Sequence, residues 1–190
     1  QIRELVELLG AAYREDRTFV TMPTLHPQNL TGSRKALDKA DVVLALDCAD
    51  VRWSVGGYGD NRDDYKRKDA KRQKVIDLSM NEGASRRWNR VGGPIADTTL
   101  QLMADPMTGI SQIIAAVKKR IRSDRALAAR FKARTATLAK EKASLTREQQ
   151  AKLKARWDEN PISPDRMVAE LWAAVRKKPW YLTLRNHRSW

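Results

Sequence analysis

ADVVLALD, residues 40–47, is the one stretch in which apolar strand-forming residues run without a break and then stop at polar residues. The five apolar residues in its middle do not alternate with polar ones. This pattern predicts a central strand of a parallel sheet, buried on both faces. Ligands of open parallel sheets lie beyond the carboxyl ends of the strands, so the sequence indicates a ligand-facing edge at Asp47, Cys48 and Asp50.

Composition limits the possible classes of protein. The chain has 190 residues, of which 42% are hydrophobic, so it is long enough to bury a core, and no apolar run reaches the length of a membrane span. We therefore expect a soluble, cytoplasmic protein. One cysteine, Cys48, and two histidines, His26 and His187, exclude an internal disulfide and leave too few ligands for a metal site. The chain starts without Met and stops in mid-pattern at Trp190, so we expect a piece of a longer protein.

The elements before residue 123 alternate between helix and strand. An amphipathic pattern over residues 1–13 predicts a helix that ends near Gly10, and proline and glycine predict a loop over residues 22–32. Asp105 and Pro106 are typical of a helix start. Further helices are predicted at 34–39 and 107–122, and further strands at 18–21, 74–79 and 98–104. Residues 1–122 therefore predict an α/β domain, with a parallel sheet flanked by helices. We expect the charged segment after Asp47, as far as residue 74, to be irregular.

The composition changes after residue 122. Residues 123–160 contain neither glycine nor proline, which predicts a helical linker of one or two helices. Residues 146–149, TREQ, resemble a capping box at which a second helix would start. Ser163 and Pro164 are a typical helix start, and Trp180 to Leu184 predict a strand. Residues 161–190 are thus predicted to begin a further domain.

Four segments together resemble a known family. They are HPQNLTG at 26–32, ADVVLALD at 40–47, KVIDLS at 74–79 and ADTTLQLMADP at 96–106. In this order and spacing they are similar to the Rossmann-like central domain of thiamine-diphosphate-dependent enzymes of the acetolactate synthase and benzoylformate decarboxylase type. Residues 161–186 are similar to the start of the diphosphate-binding domain of that family.

The resemblance implies a fragment of a decarboxylase or carboligase, a lyase or transferase acting on 2-keto acids with thiamine diphosphate and magnesium. The family's activating glutamate and its metal-binding motif belong to the flanking domains. The resemblance therefore implies no catalytic residue and no metal ligand in this chain, which alone would be inactive. It implies a structural role, with the missing domains of the same chain and further copies in a homo-oligomer as partners.

Two residues of this chain match positions near the cofactor in the family. Asn186 and His187 correspond to the segment close to the diphosphate, where both side chains can donate hydrogen bonds to phosphate oxygens. Only Arg52 matches the arginine-containing segment with which acetolactate synthases bind a flavin. This argues against FAD and against any cofactor held tightly by the fragment itself.

Two other functions remain open. The formal net charge of +14 favours a basic module that binds nucleic acid or another polyanion through residues 66–74 and 123–156. A nucleotide-binding domain for FAD or ADP would use Asp47 and Asp50 as acceptors for ribose hydroxyls. No glycine-rich phosphate loop accompanies them. His26 is interpreted as a loop histidine that bonds a backbone carbonyl, and Cys48 as a buried, inert thiol.

Overall fold

The computed structural model describes residues 1–15, 21–33, 35–48, 51–56, 73–80 and 98–181. Its helices are α1 (Ile2–Leu9), α2 (Lys35–Lys39), α3 (Val51–Gly56), α4 (Pro106–Ser123), α5 (Arg125–Ala155) and α6 (Pro164–Val175). Its strands are β1 (Val42–Leu46), β2 (Lys74–Ser79) and β3 (Leu100–Met103). The chain divides into two compact units, residues 1–143 and 144–190. The domains predicted at 1–122, 123–160 and 161–190 stay predictions.

The three strands form one parallel sheet in the order β1-β2-β3. Val43 pairs with Val75, and Ile76 pairs with Leu100. The parallel sheet flanked by helices is therefore confirmed, as are the positions of its three strands.

The central position predicted for β1 is wrong within the described sheet, because β2 lies in the middle and β1 at an edge. The prediction of burial on both faces is also wrong. Ala45 is the only buried residue of β1, and Val42 is 48% exposed. An unbroken apolar run indicates a strand but does not report how many neighbours that strand has.

One face of the sheet packs against α1 and α4. The core of this layer is formed by Leu5 of α1 with Ile110 and Ile114 of α4, and Leu44 and Leu46 of β1 pack against it. The apolar positions of both helices recur at helical spacing, so each helix buries one face and leaves the other to solvent. The hydrophobic effect therefore holds the two helices on this side of the sheet.

A glycine sets how closely α4 approaches β2. A Cβ added at Gly109 would lie 2.8 Å from Cδ2 of Leu78, which is closer than real Cβ contacts. Leu78 is itself only 2% exposed, so its side chain has little room to move away. The helix and the strand can pack this tightly because residue 109 has no side chain.

Local signals placed the ends of α1 and α4 correctly. Gly10 ends α1 in the left-handed conformation, with φ 55°, as predicted. Asp105 is the N-cap of α4, and its carboxylate accepts hydrogen bonds from the backbone N–H of Thr108 at 2.8 Å and from the hydroxyl of Thr108 at 2.7 Å. These hydrogen bonds satisfy donors that a helix start otherwise leaves unpaired.

The sequence predicted one or two helices here, and the structure has one, because α5 continues through residues 146–149. The capping-box residues of TREQ are tolerated inside a helix and do not start a second one. In the first unit α5 contacts the end of α1, where the guanidinium of Arg134 donates hydrogen bonds to the carbonyls of Leu9 and Gly10. Arg134 therefore satisfies carbonyls that α1 leaves without a partner.

The second unit contains the predicted start of α6. Ser163 is the N-cap, its hydroxyl accepts a hydrogen bond from the backbone N–H of Arg166 at 3.2 Å, and Pro164 occupies the first turn. Arg156 holds the preceding turn by ion pairs with Glu159 at 2.8 Å and Asp165 at 2.9 Å. The predicted capping of α6 is confirmed.

Three other segments differ from the predictions or lie outside the described residues. Val51 to Gly56 form the short helix α3, where an irregular segment was predicted. The predicted strand at 18–21 lies outside the described residues except for Thr21. The same is true of the predicted strand at 180–184 beyond Tyr181.

We expect Gly10→Ala to destabilise the fold by about 2 to 4 kcal/mol, through left-handed strain and a steric clash. The added Cβ would lie 2.3 Å from the carbonyl oxygen of Phe131. Gly32→Ala is the matched control, because Gly32 has φ 89° but no neighbouring atom within 4 Å of the added Cβ. Left-handed strain alone predicts that Gly32→Ala lowers the free energy of unfolding by about 1 to 2 kcal/mol. Urea unfolding of both variants measures the difference, and equal losses would contradict the clash.

Candidate functional site

The candidate site lies at the carboxyl edge of β1 and β2. Asp47 follows β1 with φ 47°, a left-handed conformation that aspartate adopts more readily than most side chains. Its backbone N–H donates a hydrogen bond of 2.9 Å to the carbonyl of Leu78. The turn after β1 is thereby tied to β2, and the carboxylate of Asp47 is held beside the end of that strand.

Ser79 joins the two strand ends through its side chain. Its hydroxyl donates a hydrogen bond to Oδ1 of Asp47 at 3.3 Å. Ser79 is buried, whereas Asp47 is exposed, so this hydrogen bond runs from the covered part of the sheet to its solvent side. The serine orients one oxygen of the Asp47 carboxylate and leaves the other available to solvent or a ligand.

Asp77 is the buried acid of the site. It lies two residues before Ser79 on the same face of β2, is 7% exposed, and its Oδ1 has no hydrogen-bond partner among the described residues. Burial raises the pKa of the Asp77 carboxyl, and the negative charge of Asp47 raises it further. The two acids therefore differ in character, since Asp77 retains a proton more readily than an exposed carboxyl.

This arrangement offers hydrogen-bond acceptors at the ligand-facing edge of a parallel sheet. Asp47 presents an exposed carboxylate, and Asp77 presents a buried oxygen that a donor would satisfy. Hydroxyl and amino groups are the donors that such a pair accepts, and a protonated Asp77 donates in turn. Within the part of the chain that the structure describes, no three His, Cys, Asp or Glu side chains come together as a possible metal site.

His26 has a different role from that of a site residue. Its Nδ1 accepts a hydrogen bond from the backbone N–H of Gln28 at 3.2 Å, so Nε2 carries the proton and faces Oε1 of Glu7 at 3.1 Å. Hydrogen bonds from Arg3 and then from His26 hold the pKa of Glu7 below its ordinary value. His26 is a loop histidine as predicted, although its backbone partner is an N–H and not a carbonyl.

The other polar residues of this loop are also used internally. Nε2 of Gln28 donates to the carbonyls of Val6 and Ala11, both at 2.9 Å. Nδ2 of Asn29 donates to the carbonyls of Met22 and Pro23 at 3.1 and 3.2 Å. Both amides are 1% exposed. The loop at 22–32 is therefore fixed onto α1 by side-chain to backbone hydrogen bonds.

The structure brings together some of the predicted site residues. Asp47 and the half-buried Cys48 lie at the carboxyl edge of β1 as predicted. Asp50, Asn186, His187 and most of the basic segment at 66–74 lie outside the described residues, so the predicted contacts of Asn186 and His187 with the diphosphate stay predictions. Arg52 belongs to α3, but its side chain is outside the description.

Sequence reasoning missed Asp77 and Ser79, which complete the site. A signal for them was present in KVIDLS, because Asp77 and Ser79 are polar residues two positions apart and the other residues after Lys74 are apolar. Two residues at that spacing share one face of a strand. The signal indicated polar groups on one face of β2 but not that Asp47 would lie beside them.

Comparisons with protein-family models, curated proteins and solved structures find no significant match to the chain. None of the helices in the described ranges is long and apolar enough to cross a membrane. The site is therefore interpreted from its own geometry.

We expect Asp77→Asn to change the pH dependence of stability. The folded pKa of Asp77 is raised above its ordinary value of 3.8, so the wild-type protein loses stability relative to the variant as pH rises from 3.8 through the folded pKa. Above that pKa the difference in unfolding free energy between the wild type and Asp77→Asn stays constant. Urea unfolding at a series of pH values measures it.

Asp105→Asn is a control with the opposite sign. Hydrogen bonds from Thr108 lower the pKa of Asp105, so its contribution to stability is present above its ordinary value of 3.8 and is lost as pH falls through the folded pKa. The difference in unfolding free energy by which the wild type is more stable than Asp105→Asn should therefore decrease towards low pH. A pH-independent difference between the wild type and Asp77→Asn would contradict the raised pKa.

Proposed function

We propose that the chain is part of a thiamine-diphosphate-dependent decarboxylase or carboligase that acts on 2-keto acids. In this proposal it contributes the Rossmann-like central domain and the start of the diphosphate-binding domain. One observation carries the proposal. The two segments that resemble strands of the family's central domain form the adjacent, parallel strands β1 and β2. The strand β3 lies within the segment that resembles the family at 96–106, pairs in parallel with β2, and is followed by α4.

The details of the segment after β3 support the proposal. The family has a helix after the segment that resembles residues 96–106. In this chain Asp105 caps α4, and Pro106 occupies its first turn. The helix then packs its apolar face on the sheet through Ile110 and Ile114.

The internal hydrogen bonds of the loop at 22–32 support a structural role for this domain. The loop contains the His-Pro segment that resembles the family. The side chains of His26, Gln28 and Asn29 bind α1 and the loop itself. These side-chain hydrogen bonds hold one edge of the domain in place. A domain that lies between two catalytic domains must keep its edges fixed in this way. We propose further copies of the chain as partners in an oligomer.

Thiamine diphosphate, when bound in the complete enzyme, would supply the electron sink for cleavage beside the keto carbon, and magnesium would hold its diphosphate. This chain would contribute Asn186 and His187 as hydrogen-bond donors to the diphosphate. The flanking domains would supply the remaining contacts. We propose no catalytic residue in this chain.

A second candidate function is the binding of a nucleotide at the carboxyl edge of the sheet. The unpartnered Oδ1 of Asp77 and the exposed carboxylate of Asp47 favour it, because ribose hydroxyls are donors to such acceptors. Calorimetry with ADP and FAD tests this function. Binding that Asp47→Asn weakens would support it, and an absence of heat with both nucleotides would contradict it.

The leading proposal predicts what the complete reading frame encodes. We expect a Gly-Asp-Gly motif and a later pair of asparagines after residue 190, and an activating glutamate before residue 1. The protein made from that frame should decarboxylate 2-keto acids only when thiamine diphosphate and magnesium are present.

In that protein, His187→Ala should raise the concentration of thiamine diphosphate needed for half-maximal activity about tenfold or more, the equivalent of one hydrogen bond to a charged group. His26→Ala is the matched control, because His26 contacts Glu7 and the loop. It should leave the cofactor requirement unchanged. A frame without the Gly-Asp-Gly motif would overturn the proposal.

A further inference from the structure

Helix α5 carries a row of cations on one side of its first-unit part. Arg125, Lys132 and Lys140 are seven and eight residues apart, which is close to two turns of helix in each case. Residues at this spacing share a face, with about 10 to 12 Å between successive positions along the axis. We call these three residues the cationic row.

The cationic row has no hydrogen-bond or ion-pair partner in the part of the chain that the structure describes. All three side chains are exposed, and none of them has a hydrogen bond or ion pair with any residue that the structure describes. Nearby charges are used differently, since Lys118 pairs with Glu4 and Arg134 binds the end of α1. The row thus belongs to the helix charge that makes no hydrogen bond or ion pair within the described residues.

The residues between the cations are small. Ala129, Ala136 and Ala143 lie three or four positions from the members of the row, on the same side of the helix, and all three are exposed. No acidic residue interrupts this side. A flat surface of alanine between cations lets an anionic partner approach the helix closely.

The opposite side of α5 is occupied by the fold. Leu138 is 8% exposed, and the backbone of Phe131 contacts Gly10. The apolar side of the helix is therefore not available to enter a lipid bilayer. The row itself also lacks the apolar residues with which a helix would pair in a coiled coil.

These observations favour one partner. A nucleic-acid backbone binds exposed cations and needs no apolar contact, because its affinity comes largely from the release of counterions. We propose that the cationic row binds the phosphate backbone of duplex nucleic acid, independently of the function proposed above. In this proposal the three cations contact phosphates, and phosphate contacts carry no sequence information, so binding is independent of base sequence. The sequence repeats the spacing at Arg147 and Lys154.

The test is fluorescence anisotropy of a labelled DNA duplex of mixed sequence, titrated with the 190-residue chain between about 50 and 200 mM salt. One variant replaces the row by Arg125→Gln, Lys132→Gln and Lys140→Gln. The matched control carries Lys119→Gln on α4 and, at positions of α5 that helical spacing places off the face of the row, Arg130→Gln and Lys152→Gln. These cations are exposed and also lack partners among the described residues. Both variants remove three positive charges from the formal net charge of +14.

We expect the row variant to lower the slope of log affinity against log salt by about 2.7, or 0.9 for each lost phosphate contact. The control should keep a slope within about one contact of the wild type. Circular dichroism establishes that both variants retain their helices.

Three results would overturn the proposal. They are no binding of the wild type at about 50 mM salt, equal loss in the two variants, or tighter binding to phosphatidylserine vesicles than to the duplex. Equal affinity of the wild type for a second duplex of unrelated sequence supports the proposal.

Discussion

The close approach of α4 to β2 at Gly109 is the contact on which the rest of the first unit depends. With a side chain at this position either the helix or the buried Leu78 would have to shift, because Cδ2 of Leu78 lies 2.8 Å from the position of the added Cβ. At the observed separation α4 brings Ile110 against Leu5 of α1. The end of α1 then meets α5, where Arg134 binds its last carbonyls. Each of these helices is thus positioned by the element before it in this series of contacts.

The parallel pairing of β1 and β2 also fixes the surroundings of the buried carboxyl of Asp77 in β2. Asp77 lies opposite Ala45 in the register, and its burial raises the free energy of the ionised carboxylate. The carboxyl ends of the parallel strands lie at one edge, which brings Asp47 to Ser79 and to the field of Asp77. A buried acid with an unpartnered oxygen at that edge is costly for stability, and such costs are typical of sites that bind or react.

The high positive charge of the chain has more than one structural consequence. Some cations stabilise the fold, such as Lys118 with Glu4 and Arg156 at the turn before α6. The exposed ion pairs each contribute little to stability, because solvent screens them. The cations of the row on α5 make no such contacts among the described residues. The positive charges of the row therefore face solvent on a helix whose apolar side is packed against the fold. This geometry suits an anionic partner.

The sequence by itself determined the local structure: the three strands, the end of α1 at Gly10, and the helix starts at Asp105 and Ser163. These features depend on residues within about four positions, through helix caps and the period of apolar side chains. Only the tertiary structure decided that β1 lies at an edge of the described sheet and that Asp47 comes close enough to Asp77 for its charge to raise the pKa of the Asp77 carboxyl. The latter two are thirty positions apart in the sequence, and the strand register that joins them leaves no local pattern.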